Sequence, residues 1–355
     1  MEAMSDSSTL LIIGVGDIML GDGIQKIRRG VRAAWAQRDS ALLLGHLKPL
    51  FSEADLALGN LECALGEVDS QDPRQMIYKG SPAHLPGLRT VGLTHLSLAN
   101  NHILEHGLAA AQQTRRMVES AGITACCGVN PVRSLCRGIA IDVFTFNLIL
   151  DTPHMNFYRD SVTGEDLAAI QTSNAPVKIV SIHWGDEYSH YPSPEQIELA
   201  HRLVDHGACL VLGHHPHVVQ GVESYRNAVI AYSLGNFIFD MDWSERTRSS
   251  ILLKAEIEPG KAVRHTEHFC RQDDIFVPRI AAREPRQDKL DKNVLGFQKD
   301  PAGYRAYSRK SLNKSRLQAI LHLCSRFPSV DRKTWQALIA KRLRKPGLAP
   351  ATNHS

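Results

Sequence analysis

The segment Cys209-Leu-Val-Leu-Gly-His-His-Pro-His217 joins a short apolar run to three histidines within four positions. Such runs are typical of buried strands, and ligands of open α/β sheets bind beyond the carboxyl ends of the strands. The same arrangement occurs four more times: Leu10 to Val15 before Gly-Asp17, Ala54 to Leu58 before Gly-Asn-Leu-Glu62, Leu93 to Ala99 before Asn-Asn-His102, and Val177 to Ile182 before His-Trp-Gly-Asp-Glu187. We expect the five clusters to converge on one edge, where they would offer oxygen and imidazole ligands for one or two divalent cations.

Helical patterns separate these apolar runs. Leu108 to Ala121 and Pro194 to Asp205 each predict a helix, and a glycine follows soon after each of them. The run Val229 to Leu234 predicts a further strand, which leads into Asn236. The sequence therefore predicts an α/β domain with at least six core strands.

The composition is that of a soluble globular protein. The 355 residues carry a net charge of +4, and 43% apolar with 22% charged residues is ordinary for this class. No stretch approaches the roughly 18 apolar residues of a membrane span, and Leu10 to Val15 is too short for a signal peptide. The seven cysteines include no C-x-x-C pair, which favours free thiols in a reducing compartment. We therefore expect a cytoplasmic protein without a disulfide framework.

Positive charge is concentrated towards the C-terminal end. Between Arg305 and Lys345 there are twelve Lys or Arg residues and one acid. A connector rich in proline and charge, Val277 to Lys292, precedes this region. The contrast predicts a compact domain at residues 1–275 and a basic extension at residues 276–355.

Two amphipathic helices are predicted in this extension. Their apolar faces consist of Leu317, Ile320, Leu321 and Cys324 in the first helix, and of Trp335, Leu338, Ile339 and Leu343 in the second. Basic helices of this kind either pack on their own domain with solvated cations, lie on an anionic membrane, or contact an acidic partner such as a synthase complex. No specific nucleic-acid partner is predicted. Any membrane association would therefore come through this extension or through a partner.

Most of the clusters also have an ordinary structural interpretation. Asp17 alone would serve as a helix cap, and Glu62 among apolar neighbours would form a buried salt bridge. A single histidine at a strand end, such as His183, is more often a hydrogen-bonded structural residue than a ligand. The three histidines after Leu212 are harder to explain by packing, because His215 and His217 lie on the same side of an extended segment, as a shared metal requires.

Asn100-Asn101-His102 places two amides and an imidazole directly after a strand. An asparagine at this point would also suit a left-handed turn. A neutral amide oxygen is nevertheless able to bind a divalent metal, and the adjacent histidine suits a general acid near neutral pH. The combination favours a functional role for the cluster.

Six motifs occur in order along roughly residues 10 to 255. They are Gly16-Asp-Ile-Met-Leu-Gly21, Gly59-Asn-Leu-Glu62, Leu98-Ala-Asn-Asn-His102, His183-Trp-Gly-Asp-Glu-Tyr188, Gly213-His-His-Pro-His-Val-Val-Gln-Gly221 and Tyr232-Ser-Leu-Gly-Asn-Phe237. In this combination they resemble the motif set of the capsule-synthesis CapA family, which is similar to the calcineurin-like metallophosphoesterase superfamily. The basic extension lies outside the resemblance.

The resemblance implies a four-layer sandwich of two mixed β-sheets flanked by helices, with a metal site at the strand ends. The implied ligands are Asp17 and His217 for one ion, Asn101, His183 and His215 for the other, and Asn60 or Glu62 between them. The implied proton donor is His102, and the implied substrate contacts are Asn100, Glu187, His214 and Asn236. Nitrogen and oxygen donors without thiolate suit one or two Mn, Fe or Zn ions.

The chain departs from its relatives at four positions. Met19 stands where the superfamily has the histidine of Asp-x-His, and Asn60 stands where it usually has a bridging aspartate. CapA-like proteins share these departures, and the nearby glutamate, here Glu62, is the implied substitute. Asp22 stands where relatives often have an arginine, and Glu105 where they often have an aspartate. Loss of that arginine would alter anion binding at the entrance.

Two functions are consistent with these observations. The first is a metal-dependent hydrolase linked to capsule, poly-γ-glutamate or exopolysaccharide biosynthesis. Its substrate would be a phosphate ester, a phospho-linked glycan intermediate or an amide bond in an anionic polymer. The second is a non-catalytic accessory subunit that binds a polyanion, or scaffolds a polymer synthase, through the same pocket or through the basic extension.

Overall fold

The computed structural model describes residues 9–23, 25–68, 72–149, 157–283, 289 and 292–325. The strands in this part of the chain are β1 (Leu10–Ile18), β2 (Leu56–Leu61), β3 (Ala64–Leu65), β4 (Lys79–Gly80), β5 (His95–Ser97), β6 (Thr124–Cys126), β7 (Val132–Cys136), β8 (Ile139–Asn147), β9 (Val177–His183), β10 (Leu210–His214), β11 (Val222–Tyr225), β12 (Ala228–Ala231), β13 (Asn236–Ile238), β14 (Ser249–Ile257), β15 (Arg264–Gln272) and β16 (Pro278–Ile280). The α-helices are α1 (Val31–Trp35), α2 (Ser40–Leu44), α3 (Lys48–Phe51), α4 (Pro73–Met76), α5 (Leu85–Val91), α6 (Gly107–Ser120), α7 (Gly164–Thr172), α8 (Pro194–Asp205) and α9 (Pro301–Ser325). Short 3₁₀ turns cover Gly45–Leu47 and Pro82–His84.

The strands of the described residues form two large mixed sheets and a two-stranded ribbon of β3 and β4. The first sheet has the order β16-β15-β14-β1-β2-β5-β6, and β13 pairs with the end of β1. Strands β1, β2, β5 and β6 are parallel, whereas β14 is antiparallel to β1. The second sheet has the order β11-β12-β10-β9-β8-β7, in which β8, β9, β10 and β12 are parallel.

The two sheets stack face to face through a shared apolar core. Ile12 and Leu58 of the first sheet belong to the same buried cluster as Ile179 and Leu212 of the second. Because neighbouring residues of a strand point to opposite faces, Ile13 packs on the outer side, in a cluster that includes residues of α2, α5 and α6. A third cluster joins the second sheet to α7 and α8. The layers are helices, sheet, sheet and helices, which confirms the predicted four-layer sandwich.

The predicted elements are present with small shifts at their ends. All six predicted core strands occur, and β1 continues to Ile18, so that Asp17 lies within the strand. Helix α8 has the predicted bounds because a capping box starts it: the backbone N–H of Gln196 donates to the Ser193 hydroxyl, and that of Ser193 donates to the Gln196 side chain. Gly207, with φ of 107°, follows its end, where a side chain would be strained.

Helix α9 confirms the first of the two helices predicted in the basic extension, but two members of its predicted apolar face are exposed. Leu317 and Leu321 are 56% and 60% exposed. The helix packs on the sandwich through a different side, whose buried members are Tyr304, Ser308, Ser315 and Ala319. No helix among the described residues combines the length and the apolar composition that a membrane span requires.

Two predictions about the extension stay untested. The second amphipathic helix, with Trp335, Leu338, Ile339 and Leu343, lies outside the described residues. The division of the chain at residue 275 also stays a prediction. Just beyond that residue, β16 pairs with β15 at the edge of the first sheet.

Candidate metal centre

The carboxyl ends of strands from both sheets meet at one edge of the sandwich. Asp17 lies opposite Asn60 where β1 pairs with β2, and His183 lies opposite His214 where β9 pairs with β10. Between the sheets, Nδ1 of His214 is 3.1 Å from Oδ1 of Asp17, and Nδ2 of Asn60 is 3.3 Å from Nδ1 of His183. All four side chains are buried. The structure therefore brings together clusters that are far apart in the sequence.

Two glycines allow the backbone to approach closely at this edge. A Cβ atom on Gly16 would lie 2.0 Å from the carbonyl oxygen of Gly235, and one on Gly213 would lie 2.0 Å from the carbonyl oxygen of Tyr232. The next residue, Asp17, donates its backbone N–H to the same Gly235 oxygen at 2.8 Å. Any side chain at residue 16 would therefore displace the strand that carries Asp17.

Asp17 is a charged carboxylate in the interior of the site. Its Oδ1 accepts hydrogen bonds from Nδ2 of Asn60 at 2.9 Å and from Nδ1 of His214, and its Oδ2 accepts one from the backbone N–H of His215 at 3.3 Å. Burial alone would raise the pKa of Asp17, but the hydrogen bond and charge of His214, with His217 and Asn60, outweigh it and lower the pKa. Asp17 is therefore ionised at neutral pH.

Glu62 is the buried carboxylate at the centre of the site. Its Oε1 is 3.6 Å from Nε2 of His183, 3.6 Å from Nε2 of His217 and 3.9 Å from Nε2 of His102. These separations are longer than hydrogen bonds. One carboxylate oxygen and three imidazole nitrogens thus face a common space.

Three histidines of the site are held in the neutral form. Burial lowers the pKa of His183 well below its usual value, and the charges of neighbouring histidines, first that of His215, lower it further. Burial and the charge of His217 lower the pKa of His215 to about 3, although Asp17 acts in the opposite direction. Burial also lowers the pKa of His217, against the charge of Asp17. Neutral imidazole is the form in which histidine binds metals.

Backbone strain accompanies the last cluster. His215 and His217 have φ angles of 96° and 55°, a region that residues other than glycine rarely adopt. Strain of this kind clusters at functional sites. Asn236 fixes the second ring, because its Oδ1 is 3.0 Å from Nδ1 of His217 while its Nδ2 donates to the Thr247 carbonyl at 2.9 Å. Nε2 of His217 is thereby directed towards the centre, and the predicted substrate contact of Asn236 stays a prediction.

Two groups of metal-binding atoms occur in the described part of the chain. They are Glu62, His183 and His215, and Asp17, Glu62 and His217, each with its atoms within 4.8 Å of one another. Glu62 belongs to both groups. In the first group Nδ1 of His215 is buried and has no hydrogen-bond partner among the described residues, which is costly unless a ligand is bound there. A divalent cation would also compensate the charge of two buried carboxylates beside neutral imidazoles, so the residues fit such an ion.

The predicted amides organise the site through hydrogen bonds. Oδ1 of Asn100 accepts from two backbone N–H groups that follow it, so its Nδ2 donates to the Leu61 carbonyl at 2.8 Å and to Oδ1 of Asn60 at 3.1 Å. Asn60 therefore turns its own Nδ2 towards Asp17. Because its oxygen is engaged in this way, the hydrogen bonds favour Glu62 over Asn60 as the group between two ions.

The remaining predicted residues surround the donor groups. Oδ1 of Asn101 is 3.0 Å from Nε2 of His183, beside the first group. Nε2 of His214 is buried and has no hydrogen-bond partner in the described chain. Glu187 is partly exposed and lies outside both donor groups. Their predicted roles as a ligand and as substrate contacts stay predictions.

His102 lies at the edge of the centre with a side chain that is 13% exposed. Its Nδ1 is 3.2 Å from Oε1 of Glu105, and its ring stacks on Tyr78 with 3.7 Å between the ring centroids. Glu105 therefore keeps a carboxylate on this imidazole despite the departure from relatives. Tyr78 was not predicted from the sequence, because no motif marks its position and its contact with His102 joins separate parts of the chain.

Two other departures are buried in the first loop. Met19 is fully buried, and its Sδ accepts a hydrogen bond from the backbone N–H of Gly21 at 3.1 Å. Asp22 is also fully buried, and its Oδ2 accepts from the backbone N–H of Arg28 at 2.8 Å. Burial raises the pKa of Asp22 to about 6. Neither residue offers a cation to the site.

A family model described as bacterial capsule synthesis protein PGA_cap matches residues 11–134 and 146–241. The chain belongs to this family. It is 28% identical over 331 residues to the capsule biosynthesis protein CapA of Bacillus anthracis, covering 86% of this chain and 77% of that protein. These findings confirm the resemblance that the six motifs indicate.

Further similarities extend this comparison. The chain is 27% identical over 264 residues to the PGA biosynthesis protein CapA of Bacillus subtilis, covering 69% of this chain and 67% of that protein. It is 26% identical over 214 residues to a probable polyglutamine synthesis accessory protein of Mycobacterium tuberculosis, covering 53% of this chain and 56% of that protein. A solved structure described as a novel phosphatase from Mycoplasma pneumoniae is 11% identical, with a TM-score of 0.49, covering 80% of this chain and 97% of that one. The family assignment does not depend on this distant structural similarity.

Proposed function

We propose that this member of the capsule synthesis family is a metal-dependent hydrolase that acts on a phosphate-containing substrate during capsule or poly-γ-glutamate production. The observation that carries the proposal is the position of Glu62, which belongs to both donor groups and faces the imidazole of His102. Nitrogen and oxygen donors without thiolate suit one or two Mn, Fe or Zn ions.

The proposed mechanism divides the work between the buried donors and His102. A divalent cation held by the donors supplies Lewis-acid chemistry, by polarising a phosphoryl oxygen and making water more acidic. His102 donates a proton to the departing oxygen from Nε2, the ring nitrogen that faces the centre. Glu105 accepts the Nδ1–H of that ring and so holds the ring with Nε2 directed towards the centre.

A second candidate is a non-catalytic accessory subunit that binds an anionic polymer or scaffolds a polymer synthase. The description of the Mycobacterium tuberculosis relative as an accessory protein favours it, and so does the basic composition of α9. In this case the donor groups would have a structural role. The cytoplasmic location, and contact with a membrane or a synthase through residues 276–355, stay predictions in either case.

Elemental analysis beside a phosphoesterase assay tests the proposal on the full chain. We expect one or two equivalents of Mn, Fe or Zn, lost in a His215→Ala/His217→Ala double variant. A His102→Ala variant should keep its metal and hydrolyse p-nitrophenyl phosphate roughly 10²- to 10⁴-fold more slowly. Protein that takes up no metal contradicts the proposal, and metal-loaded protein without turnover of phosphoester substrates supports the accessory function instead.

A further inference from the structure

Helix α9 lies across the edge of the sandwich that carries the metal centre. Oγ of Ser308 donates to Oδ2 of Asp186 at 2.7 Å, in the loop that follows His183. Oγ of Ser315 accepts from Nε1 of Trp243 at 3.1 Å, in the loop that follows β13. The two serines are seven residues apart and therefore lie on the same side of the helix. One side of α9 thus covers two loops that begin at site strands.

A chain of two aromatic rings connects this helix to the donor groups. The ring of Trp243, bonded to Ser315, meets the ring of Tyr188 edge to face, with 6.2 Å between their centroids. The Tyr188 ring is in turn 6.3 Å from the ring of His217. Residues of α9 near Ser315 are therefore neighbours of the centre.

The helix brings uncompensated positive charge to this position. Its sequence contains Arg305, Arg309, Lys310, Lys314 and Arg316, and no acidic residue. Within the described chain, none of these five cations takes part in a hydrogen bond or an ion pair. Ser315 is flanked in the sequence by Lys314 and Arg316, and both side chains are exposed.

The charge of Arg316 acts on the same hydroxyl as a carboxylate of the centre. Burial raises the pKa of Tyr188 well above its usual value, and the carboxylates of Glu187 and Glu62 raise it further, whereas the Arg316 guanidinium acts in the opposite direction. The charges of Arg316 and Glu62 therefore both act on the Tyr188 hydroxyl, with opposite signs. The effect of Arg316 on Tyr188 agrees with the contacts that join the neighbouring Ser315 to Tyr188 through Trp243.

We propose that Arg316 binds the phosphate group of the substrate at the entrance of the metal centre, so that α9 forms the cationic wall of the site. The inference rests on the proposed function, because it assumes that the centre receives a phosphate-containing substrate. Arginine suits this role because its planar guanidinium forms two parallel hydrogen bonds with a phosphate. Asp22 stands where relatives often have an arginine, and it is a buried carboxyl group that offers no positive charge. In this proposal Arg316, from a distant part of the chain, supplies the positive charge at the entrance.

The test compares two variants that each remove one cation from α9. Arg316→Ala removes the proposed ligand, and Lys310→Ala is the control, because Lys310 is about 200° around the helix from Ser308 and so points away from the sandwich. Binding of inorganic phosphate is measured by titration calorimetry on the full chain, with and without added Mn²⁺. Hydrolysis of p-nitrophenyl phosphate is measured in parallel, and thermal melting checks that both variants are folded.

We expect Arg316→Ala to weaken phosphate binding about 3- to 10-fold, to raise KM by a similar factor and to leave kcat within about twofold. Arg316→Lys should recover part of the affinity, because it restores the charge without the planar fork. The difference between wild type and Arg316→Ala should shrink as salt rises above about 0.15 M, because the side chain is exposed.

The outcomes separate this inference from the proposed function. Equal phosphate affinity in the Arg316→Ala and Lys310→Ala variants overturns the inference, even if the wild type hydrolyses phosphoesters. A wild type that binds no phosphate also overturns it. Phosphate binding that depends on Arg316 without any hydrolysis supports the inference while it contradicts the hydrolase. Loss of kcat at unchanged KM in Arg316→Ala likewise contradicts a binding role.

Discussion

Replacing Glu62 with glutamine should remove the metal from the centre without unfolding the protein. Glu62 is the one residue common to the two donor groups of the described chain, and its Oε1 is 3.6 Å from Nε2 of both His183 and His217. Glutamine keeps the shape of the side chain and removes its negative charge. We therefore expect both donor groups to lose affinity for divalent cations at once.

The expected size of the effect follows from linkage between binding and folding. A metal present at 100 times its Kd stabilises the folded state by about 2.7 kcal/mol. Unfolding of a chain of this length has an entropy of roughly 0.7 kcal/mol/K, so the metal should raise the Tm by about 4 °C. Loss of a charged ligand that weakens binding roughly 100-fold leaves about 0.4 kcal/mol, which is a shift below about 1 °C.

In the metal-free protein, Glu62→Gln should leave the Tm unchanged or raise it. Without an ion, Glu62 is a buried carboxylate beside histidines whose pKa values are lowered, as in His183 and His217. A buried carboxylate beside neutral imidazoles carries a solvation cost that glutamine avoids, so we expect removal of the charge to be neutral or stabilising. We therefore expect metal-free Glu62→Gln protein to melt at or above the temperature of the metal-free wild type.

The assay combines elemental analysis with thermal melting in the presence of Mn²⁺ or of a chelator. Glu105→Gln is the matched control, because Glu105 contacts Nδ1 of His102 and lies outside both donor groups. It should retain the metal and the metal-dependent rise in Tm. A Glu62→Gln variant with full metal content and an unchanged rise would refute the argument that this carboxylate serves both groups.

Two further predictions concern positioning and pH. Asn236→Ala should weaken metal binding about 10- to 100-fold while the fold is kept, because Nδ1 of His217 loses the partner that orients the ring; metal titration followed by equilibrium dialysis measures this loss. Asp240 has its pKa raised to about 8, mainly by burial, so the folded protein holds a proton that the unfolded chain releases near pH 4. The contribution of Asp240 to stability should therefore fall as pH rises from about 4 to 8, opposite in sign to the contribution of the buried histidines whose pKa is lowered. Urea unfolding series should show the wild type losing stability relative to Asp240→Asn across this range.

The sequence predicted the convergence of the site because parallel strands end at a common edge. An apolar run precedes or contains each of the donor residues, which are Asp17, Glu62, His183, His215 and His217. This pattern alone was sufficient to predict that they lie close together. The length of the strands was less predictable, because β1 continues beyond its apolar run and includes the polar Asp17 within the ladder.

The directions of the hydrogen bonds within the site could not be predicted from the sequence. Asn60 and Asn100 were both expected to act on a metal or a substrate. The structure shows that Asn100 is anchored by two backbone N–H groups, which orients Asn60 towards Asp17. An asparagine side chain carries a donor and an acceptor of similar shape, so its role depends on neighbours that residue spacing does not reveal.

The side on which α9 packs could not be predicted from its apolar residues. Apolar periodicity singled out Leu317 and Leu321, which are exposed, whereas the buried side includes Ser308 and Ser315. The two serines form hydrogen bonds with polar groups of the loops that they cover. A helix that packs on a polar edge buries residues able to satisfy that edge, so apolar periodicity does not identify its contact side.

Asn60 and Glu62 together explain how the candidate centre has a carboxylate common to both donor groups although position 60 carries an amide. Residues two apart along an extended chain point to the same face, so a carboxylate at position 62 reaches the space that position 60 also borders. In the structure Asn60 neutralises part of the charge of Asp17 by donating Nδ2 at 2.9 Å, a contact that a second aspartate would replace with repulsion. The exchange therefore moves the shared negative charge away from Asp17 and towards His183 and His217, where one oxygen lies at 3.6 Å from each ring.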